Sequence, residues 1–301
     1  MRTLPTCLIA WLAIVGPLHA EEPPVDQPPF HIQAHRGAGI AMPENTLETF
    51  RWSWKRQVTP EADLRTTKDG EIVCFHDANF KRVVRGSDDK TKNSAIESLP
   101  LSQIQKLDVG SFRGPQFAGQ RVPTLATVFA DMGDHPERLL YIDVKTVDLD
   151  QLAKLVKKYG VERQVIFTTS DHALIRDWKK RVPESMTLLW NGGSQDVLNR
   201  KMDSLRKVDF DGITYLQIHV KVGDLADDDP FMPRTEFLKT LGEELASRGI
   251  VFQVLPWECA DQRAYERLLG LGVDSFATDY PDVTLAAVRS FREKQQPKVT
   301  K

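Results

Sequence analysis

Short apolar runs alternate with helical stripes along most of the chain, and the alternation is clearest in its second half. Leu139 to Val144, Val165 to Thr168, Met186 to Trp190, Gly212 to Leu216, Val251 to Leu255 and Ser275 to Thr278 read as strands. Between them Leu149, Leu152, Val156 and Tyr159 fall at helical spacing and stop at Gly160, a C-terminal cap. Leu174, Ile175 and Trp178 form a second stripe, and Phe237, Leu238, Leu241 and Leu245 a third, ending at Gly249. Leu285, Val288 and Phe291 form the last, opened by Pro281-Asp282 and running into a polar tail over 295–301. Nearer the start, Leu47, Phe50 and Trp54 predict a helix with Asn45 and Glu48 as its capping box.

Strands separated by roughly 20 to 35 residues and joined by amphipathic helices are what parallel βαβ units require. Repetition of that unit predicts an α/β fold, a TIM-like (β/α)8 barrel. Ile32 to His35, Ala62 to Arg65 and Ile72 to His76 bring the strand candidates to one more than a barrel's eight places. Asp69-Gly70 is too short a link for a parallel crossover, so one of the last two strands is a hairpin extension. Pro60 cannot donate to a ladder, which places the start of its strand there. The mixed segments from Asn79 to Arg138 read as an insertion over the C-terminal mouth of the strands.

The first 29 residues lie outside this rhythm. Arg2, the apolar run Cys7 to Val15, Gly16-Pro17 and Ala20 predict a signal peptide over 1–20 and an exported, periplasmic or secreted, mature chain from about Glu21. A Pro-rich tether over 21–29 leads into a single domain over 30–294. Removal of Cys7 would leave Cys74 and Cys259, which read as buried, unpaired thiols. With 41% hydrophobic and 27% charged residues the domain is ordinary globular protein. A net charge of -2 supplies no cationic field for nucleic acid, so an anionic substrate must be held locally. Membrane contact through the insertion is possible but not indicated, since its apolar residues, Phe112 and Phe117 among them, are not concentrated in one place.

Barrel enzymes work at the C-terminal ends of their strands. Here those ends carry His35-Arg36-Gly37, Glu61 and Asp63, His76-Asp77, and Asp143 and Lys145. Residues two apart on a strand share a face, so Glu61 with Asp63, and Asp143 with Lys145, can aim into one cavity. Three carboxylates without thiolates make a hard ligand set suited to Mg²⁺ or Ca²⁺. Two imidazoles, titrating near pH ~6.5, can serve as base and acid. Arg36 and Lys145 can hold phosphate oxygens. Taken singly, each of these residues has an ordinary reading as an ion pair or a surface group; joint placement at successive strand ends carries the argument. His31, His135, His172 and His219 lack such neighbours along the chain and read as non-catalytic.

His35-Arg36-Gly37, Pro43-Glu44-Asn45-Thr46, Glu61-x-Asp63, Thr67-Lys68-Asp69-Gly70, His76-Asp77, Trp257, Gly272-Val273-Asp274 and Thr278-Asp279-Tyr280-Pro281 together resemble the glycerophosphodiester phosphodiesterases. The resemblance implies a TIM-like barrel that hydrolyses glycerophosphodiesters to glycerol phosphate and an alcohol. It implies Glu61, Asp63 and Asp143 as metal ligands, His35 and His76 as the acid and base pair, and Arg36, Lys145 and Trp257 as substrate contacts. Two departures stand out. Asp143 occupies a place usually held by Glu, as in the related sphingomyelinase D branch, and Glu258-Cys259-Ala260 replaces the common residues after the tryptophan. The rival readings are a phospholipid head-group phosphodiesterase or lyase and, in another class, an inactive phosphate-ester binding protein.

Overall fold

The computed structural model describes residues 30–295. The expected signal peptide and tether, and the polar tail beyond Gln295, lie outside the described residues. The strands are β1 (His31–Ala34), β2 (Thr59–Thr66), β3 (Ile72–Cys74), β4 (Leu140–Thr146), β5 (Val165–Thr169), β6 (Met186–Asn191), β7 (Tyr215–Val222), β8 (Phe231–Met232), β9 (Val251–Pro256) and β10 (Ser275–Thr278). Parallel pairing runs β1, β2, β4, β5, β6, β7, β9, β10 and back to β1, which closes an eight-stranded barrel. The surplus strand is β3, folded back antiparallel on β2 through the Asp69-Gly70 turn, where Gly70 takes φ +85°. A short β8, absent from the sequence reading, pairs antiparallel with the end of β7.

Helices wrap the barrel because their apolar stripes match its outer wall. Helix Leu149–Tyr159 starts under the Asp148 side chain, which accepts from the Gln151 N–H. It stops at Gly160, whose left-handed φ of +66° only glycine adopts at little cost. Its Leu152 and Val156 are fully buried, each contributing about 1.5–3 kcal/mol of apolar burial. Trp178, from helix His172–Arg181, stacks on Phe167 of β5 at 4.7 Å and donates to Ser185 Oγ. Helices Gln195–Arg206, Thr235–Ser247, Gln262–Leu269 and Pro281–Gln295 bury apolar faces against the same core.

The lumen is polar where most barrels are apolar. Gln217 Nε2 donates to Gln33 and Gln253, and Gln253 Nε2 donates to Tyr141 Oη and Ser275 Oγ. A satisfied buried network of this kind fixes the stagger of the strands that carry it.

Three expectations need correction. Helix Leu47–Lys55 is capped by Thr46, whose hydroxyl accepts from Thr49 N–H, and not by an Asn45–Glu48 box. Asn45 is instead left-handed, with φ +55°, and faces the barrel mouth. The seventh barrel strand begins at Tyr215, so Gly212 to Thr214 precede it and its polar half, Gln217 to Val222, follows where the reading stopped. The insertion ends sooner than Arg138. Phe75, Phe80, Val83, Val84, Ile96 and Ile104 belong to a separate apolar cluster, whereas Leu125, Val128, Phe129 and Met132 of helix Leu125–Met132 pack into the barrel core. Cys74 and Cys259 are free and buried. Among the described residues no helix is long and apolar enough to cross a membrane.

Candidate active site

The mouth of the barrel gathers charge that the strands deliver in register. Asp63 of β2 sits opposite Asp143 of β4, and Glu61 lies two residues before Asp63 on the same face. One oxygen from each of Glu61, Asp63 and Asp143 falls within 4.8 Å of the others, and all three side chains are buried. Lys145 Nζ bridges Asp143 at 2.7 Å and Asp63 at 3.1 Å. One ammonium cannot balance three buried carboxylates. Burial beside Glu61 and Asp63 therefore pushes Asp143 up to about 7. Asp63 goes the other way: burial would raise it, but Lys145, the histidines and the Asn45 amide hold it down.

Local backbone strain places the remaining groups. In the turn His35–Gly37, Arg36 is left-handed at φ +52°, which costs about 1–2 kcal/mol for a residue with a side chain. That turn aims the Arg36 N–H at Glu61 Oε2, 3.1 Å away. Asn45 brackets Asp63, donating from Nδ2 to its carboxylate at 2.8 Å and accepting its N–H at 2.9 Å. Gly39 lies so close to the Asp279 carbonyl that a Cβ would come within 2.1 Å of it, and this close approach brings the end of β10 beside His35.

Each histidine is oriented by an aspartate. His35 Nδ1 donates to Asp279 Oδ1 at 2.7 Å, and His76 Nδ1 donates to Asp77 Oδ1 at 2.7 Å. Burial alone would push the His35 imidazole down; the Asp279 bond and the charges of Glu61, Asp279 and Asp63 outweigh it and raise it to about 9. On the far side of His76, Arg36 Nη2 approaches Nε2 at 3.2 Å. A guanidinium has only donors, so Nε2 is the acceptor and the Nδ1 proton belongs to the bond with Asp77. The Nε2 lone pair of His76 thereby faces Arg36. Arg36 Nε is buried without a partner, an unmet donor at the mouth.

Beyond His35 stands an aromatic wall. Trp257, 40% exposed, meets His35 edge-on at 6.0 Å, and His219 meets Trp257 edge-on at 5.4 Å. His219 also stacks on Trp190 at 5.3 Å. Burial, with His35 and Lys201 nearby, lowers His219 to about 4, so it is neutral in this wall.

The model of the glycerophosphoryl diester phosphodiesterase family matches residues 35–283, which takes in every group just described. The chain belongs to that family. As a member of it, the chain is a phosphoric diester hydrolase. A glycerophosphodiester phosphodiesterase of Caldanaerobacter subterraneus subsp. tengcongensis is 29% identical over 264 residues, covering 85% of this chain and 96% of that protein. A human lysophospholipase D is 27% identical over 276 residues, covering 83% of each. A solved phosphodiesterase of Oleispira antarctica, in complex with its product sn-glycerol-3-phosphate, shares the fold with a TM-score of 0.64 at 20% identity, covering 86% of this chain and 96% of that one.

Within this family barrel the structure brings together His35, Arg36, Glu61, Asp63, His76, Asp143, Lys145 and Trp257. His31, His135 and His172 bond to Tyr215, Glu137 and the Asp211 carbonyl. His219 does have site neighbours, contrary to its reading from the sequence, because the true span of β7 carries it to the mouth beside Trp257. Asp279 stands within a quoted motif, but its pairing with His35 crosses 244 positions and leaves no local trace.

Proposed function

We propose that the protein is an exported, divalent-metal-dependent glycerophosphodiester phosphodiesterase in which His76 is the general base and His35 the general acid. The observation that carries this reading is the buried triad Glu61, Asp63 and Asp143, overcharged against Lys145 and flanked by the two histidines. Its all-oxygen donor set and its surplus of negative charge fit a hard divalent ion, Mg²⁺ or Ca²⁺. When bound there, such an ion supplies charge neutralisation to the phosphoryl oxygens.

The chain's own residues perform the proton work. Arg36, with its unmet Nε–H, and Lys145 bind the phosphate. As the phosphate draws the guanidinium away, His76 Nε2 is freed to take the proton of the neighbouring glycerol hydroxyl, whose oxygen forms the new bond to phosphorus. Asp77 holds the resulting imidazolium. The bond from phosphorus to the leaving alcohol breaks, and its oxygen takes the proton held by His35 against Asp279. Water then opens the cyclic phosphate with the roles reversed, giving glycerol phosphate. Residues 1–20 direct this activity outside the cytoplasm, to the periplasm or the medium.

Phosphorus NMR of the protein with glycerophosphocholine and glycerophosphoethanolamine, with chelator and with Mg²⁺ or Ca²⁺ restored separately, tests the reading. Glycerol phosphate formed only with metal is the expected product. Accumulation of a cyclic phosphate would make the enzyme a lyase, and metal binding without turnover of any diester, lysophospholipids included, would make it a binding protein. The likeness to a lysophospholipase D is the reason to include the lysophospholipids.

A further inference from the structure

The structure assigns Arg82, a residue of the insertion, as the positioning residue that sets the tautomer of His76. The inference rests on the reading of His76 as the base. Five side chains form a closed ring. Arg36 Nη2 donates to His76 Nε2 at 3.2 Å, and His76 Nδ1 donates to Asp77 at 2.7 Å. Asp77 accepts from Arg82 Nε at 2.7 Å and Nη2 at 3.0 Å. Arg82 also donates to Glu44 through Nη1 at 2.7 Å and Nη2 at 2.6 Å, and Arg36 Nη1 returns to Glu44 at 3.4 Å.

The ring has one donor sense only. Both arginines can only donate, and both carboxylates accept every bond they make in the ring. His76 is the single member able to do either, and its place between Arg36 and Asp77 leaves one arrangement: proton on Nδ1, lone pair on Nε2. Arg82 closes the ring by occupying both carboxylates at once. Removing it frees Asp77 to rotate off Nδ1. It also leaves buried Glu44 with Arg36 as its remaining cation in the ring, so Arg36 is drawn from Nε2 and the imidazole can hold its proton on either nitrogen.

The insertion's apolar cluster is what holds Arg82 in place. Phe80, Val83 and Val84 around it are buried there, Phe80 N–H donates to Lys92 O and Val84 N–H to Phe80 O. The insertion thus presents a catalytically relevant cation to a site built otherwise from barrel strand ends.

The test is Arg82→Ala in the full metal-loaded enzyme. Expected is a fall in kcat of about 10–100-fold with KM within about threefold, the range for losing a partner that orients a working histidine. Long-range ¹H–¹⁵N spectra of histidine-labelled protein should show His76 as the Nδ1–H tautomer in wild type and a mixture in the variant. Guanidinium ion added to the assay should restore part of the rate. Arg82→Lys, one point charge for two carboxylates, should fall between the two, and it is the variant to read if Arg82→Ala does not fold. Asp88→Ala, which uncaps helix Asp89–Asn93 in the same insertion and touches none of the ring, should lower Tm and leave kcat alone. Wild-type kcat and an unchanged His76 tautomer in folded Arg82→Ala, or wild-type values in Arg82→Lys where the alanine variant fails, would overturn the assignment. If His76→Ala also keeps its kcat, the error lies in the reading of His76; if His76→Ala is dead, it lies with Arg82 alone.

Discussion

His35 and His76 make the same 2.7 Å bond from Nδ1 to an aspartate, yet the two sides of the site are built differently. On the His76 side the aspartate is the next residue, and an arginine caps the far nitrogen. On the His35 side the aspartate arrives just past the end of the last strand, and the neighbouring surfaces are carboxylates and the edge of Trp257. Identical local bonds therefore sit in opposite surroundings: His76 Nε2 accepts from a guanidinium, whereas His35 is raised to about 9 amid negative charge. The surroundings, more than the His–Asp pair itself, distinguish the two histidines, and the proposed division into base and acid rests on that difference.

The leaving group separates the two histidines by the largest expected effect. Ala at either histidine should cost ~10²–10⁴ in kcat on glycerophosphocholine. On a p-nitrophenyl phosphodiester, whose leaving group needs no proton, His35→Ala should recover most of its rate and His76→Ala should not. Equal recovery in both, measured by steady-state kinetics, would dissolve the division of roles.

Next in size is the metal. Asp63→Asn should weaken divalent-ion binding by about 10–100-fold in titration calorimetry. Because Asp143 is raised to about 7, the metal-free enzyme holds a proton there below that pH. Metal binding should therefore release a proton below pH 7 and none well above it, read from heats in buffers of different ionisation enthalpy.

A smaller effect concerns stability. His35 is raised above its unfolded value near 6.5, so folding takes up a proton between that value and about 9. Its contribution is full below 6.5 and disappears as pH rises through 9. The Tm gap between wild type and Asp279→Asn, in chelator, should narrow across that window; a flat gap would mean that His35 is not paired as a cation. The smallest effect is expected at His219, neutral in its aromatic stack. His219→Phe keeps the stack on Trp190 and should hold kcat/KM within about threefold, since stacking and not proton exchange is lost or kept there.

Much of this site was legible from spacing alone. Glu61 with Asp63 and Asp143 with Lys145 obey the two-residue period of a strand, and parallel register puts the pairs side by side. Two kinds of residue escaped. Gln217 and His219 were cut from their strand because a polar side chain looks like a strand's end, whereas this barrel keeps a glutamine network in its lumen and lets its seventh strand continue through it. Asn45 and Asp279 escaped for another reason. Asn45 stands where a cap would, and only its left-handed backbone turns it to Asp63; Asp279 acts on a partner at the other end of the chain.

The meeting of His35 with Asp279 across the seam between β1 and β10 also bears on when activity can begin. Glu61, Asp63, His76 and Asp143 are all synthesised within the first half of the chain, but Asp279, which orients His35, follows the last strand to leave the ribosome. A chain still being made carries His35, His76 and the three carboxylates before Asp279 is there to orient His35. The His35–Asp279 pair thus forms only once the two ends of the barrel have met, so under the proposed roles the stretch of chain just past the last strand is also the one that completes the site.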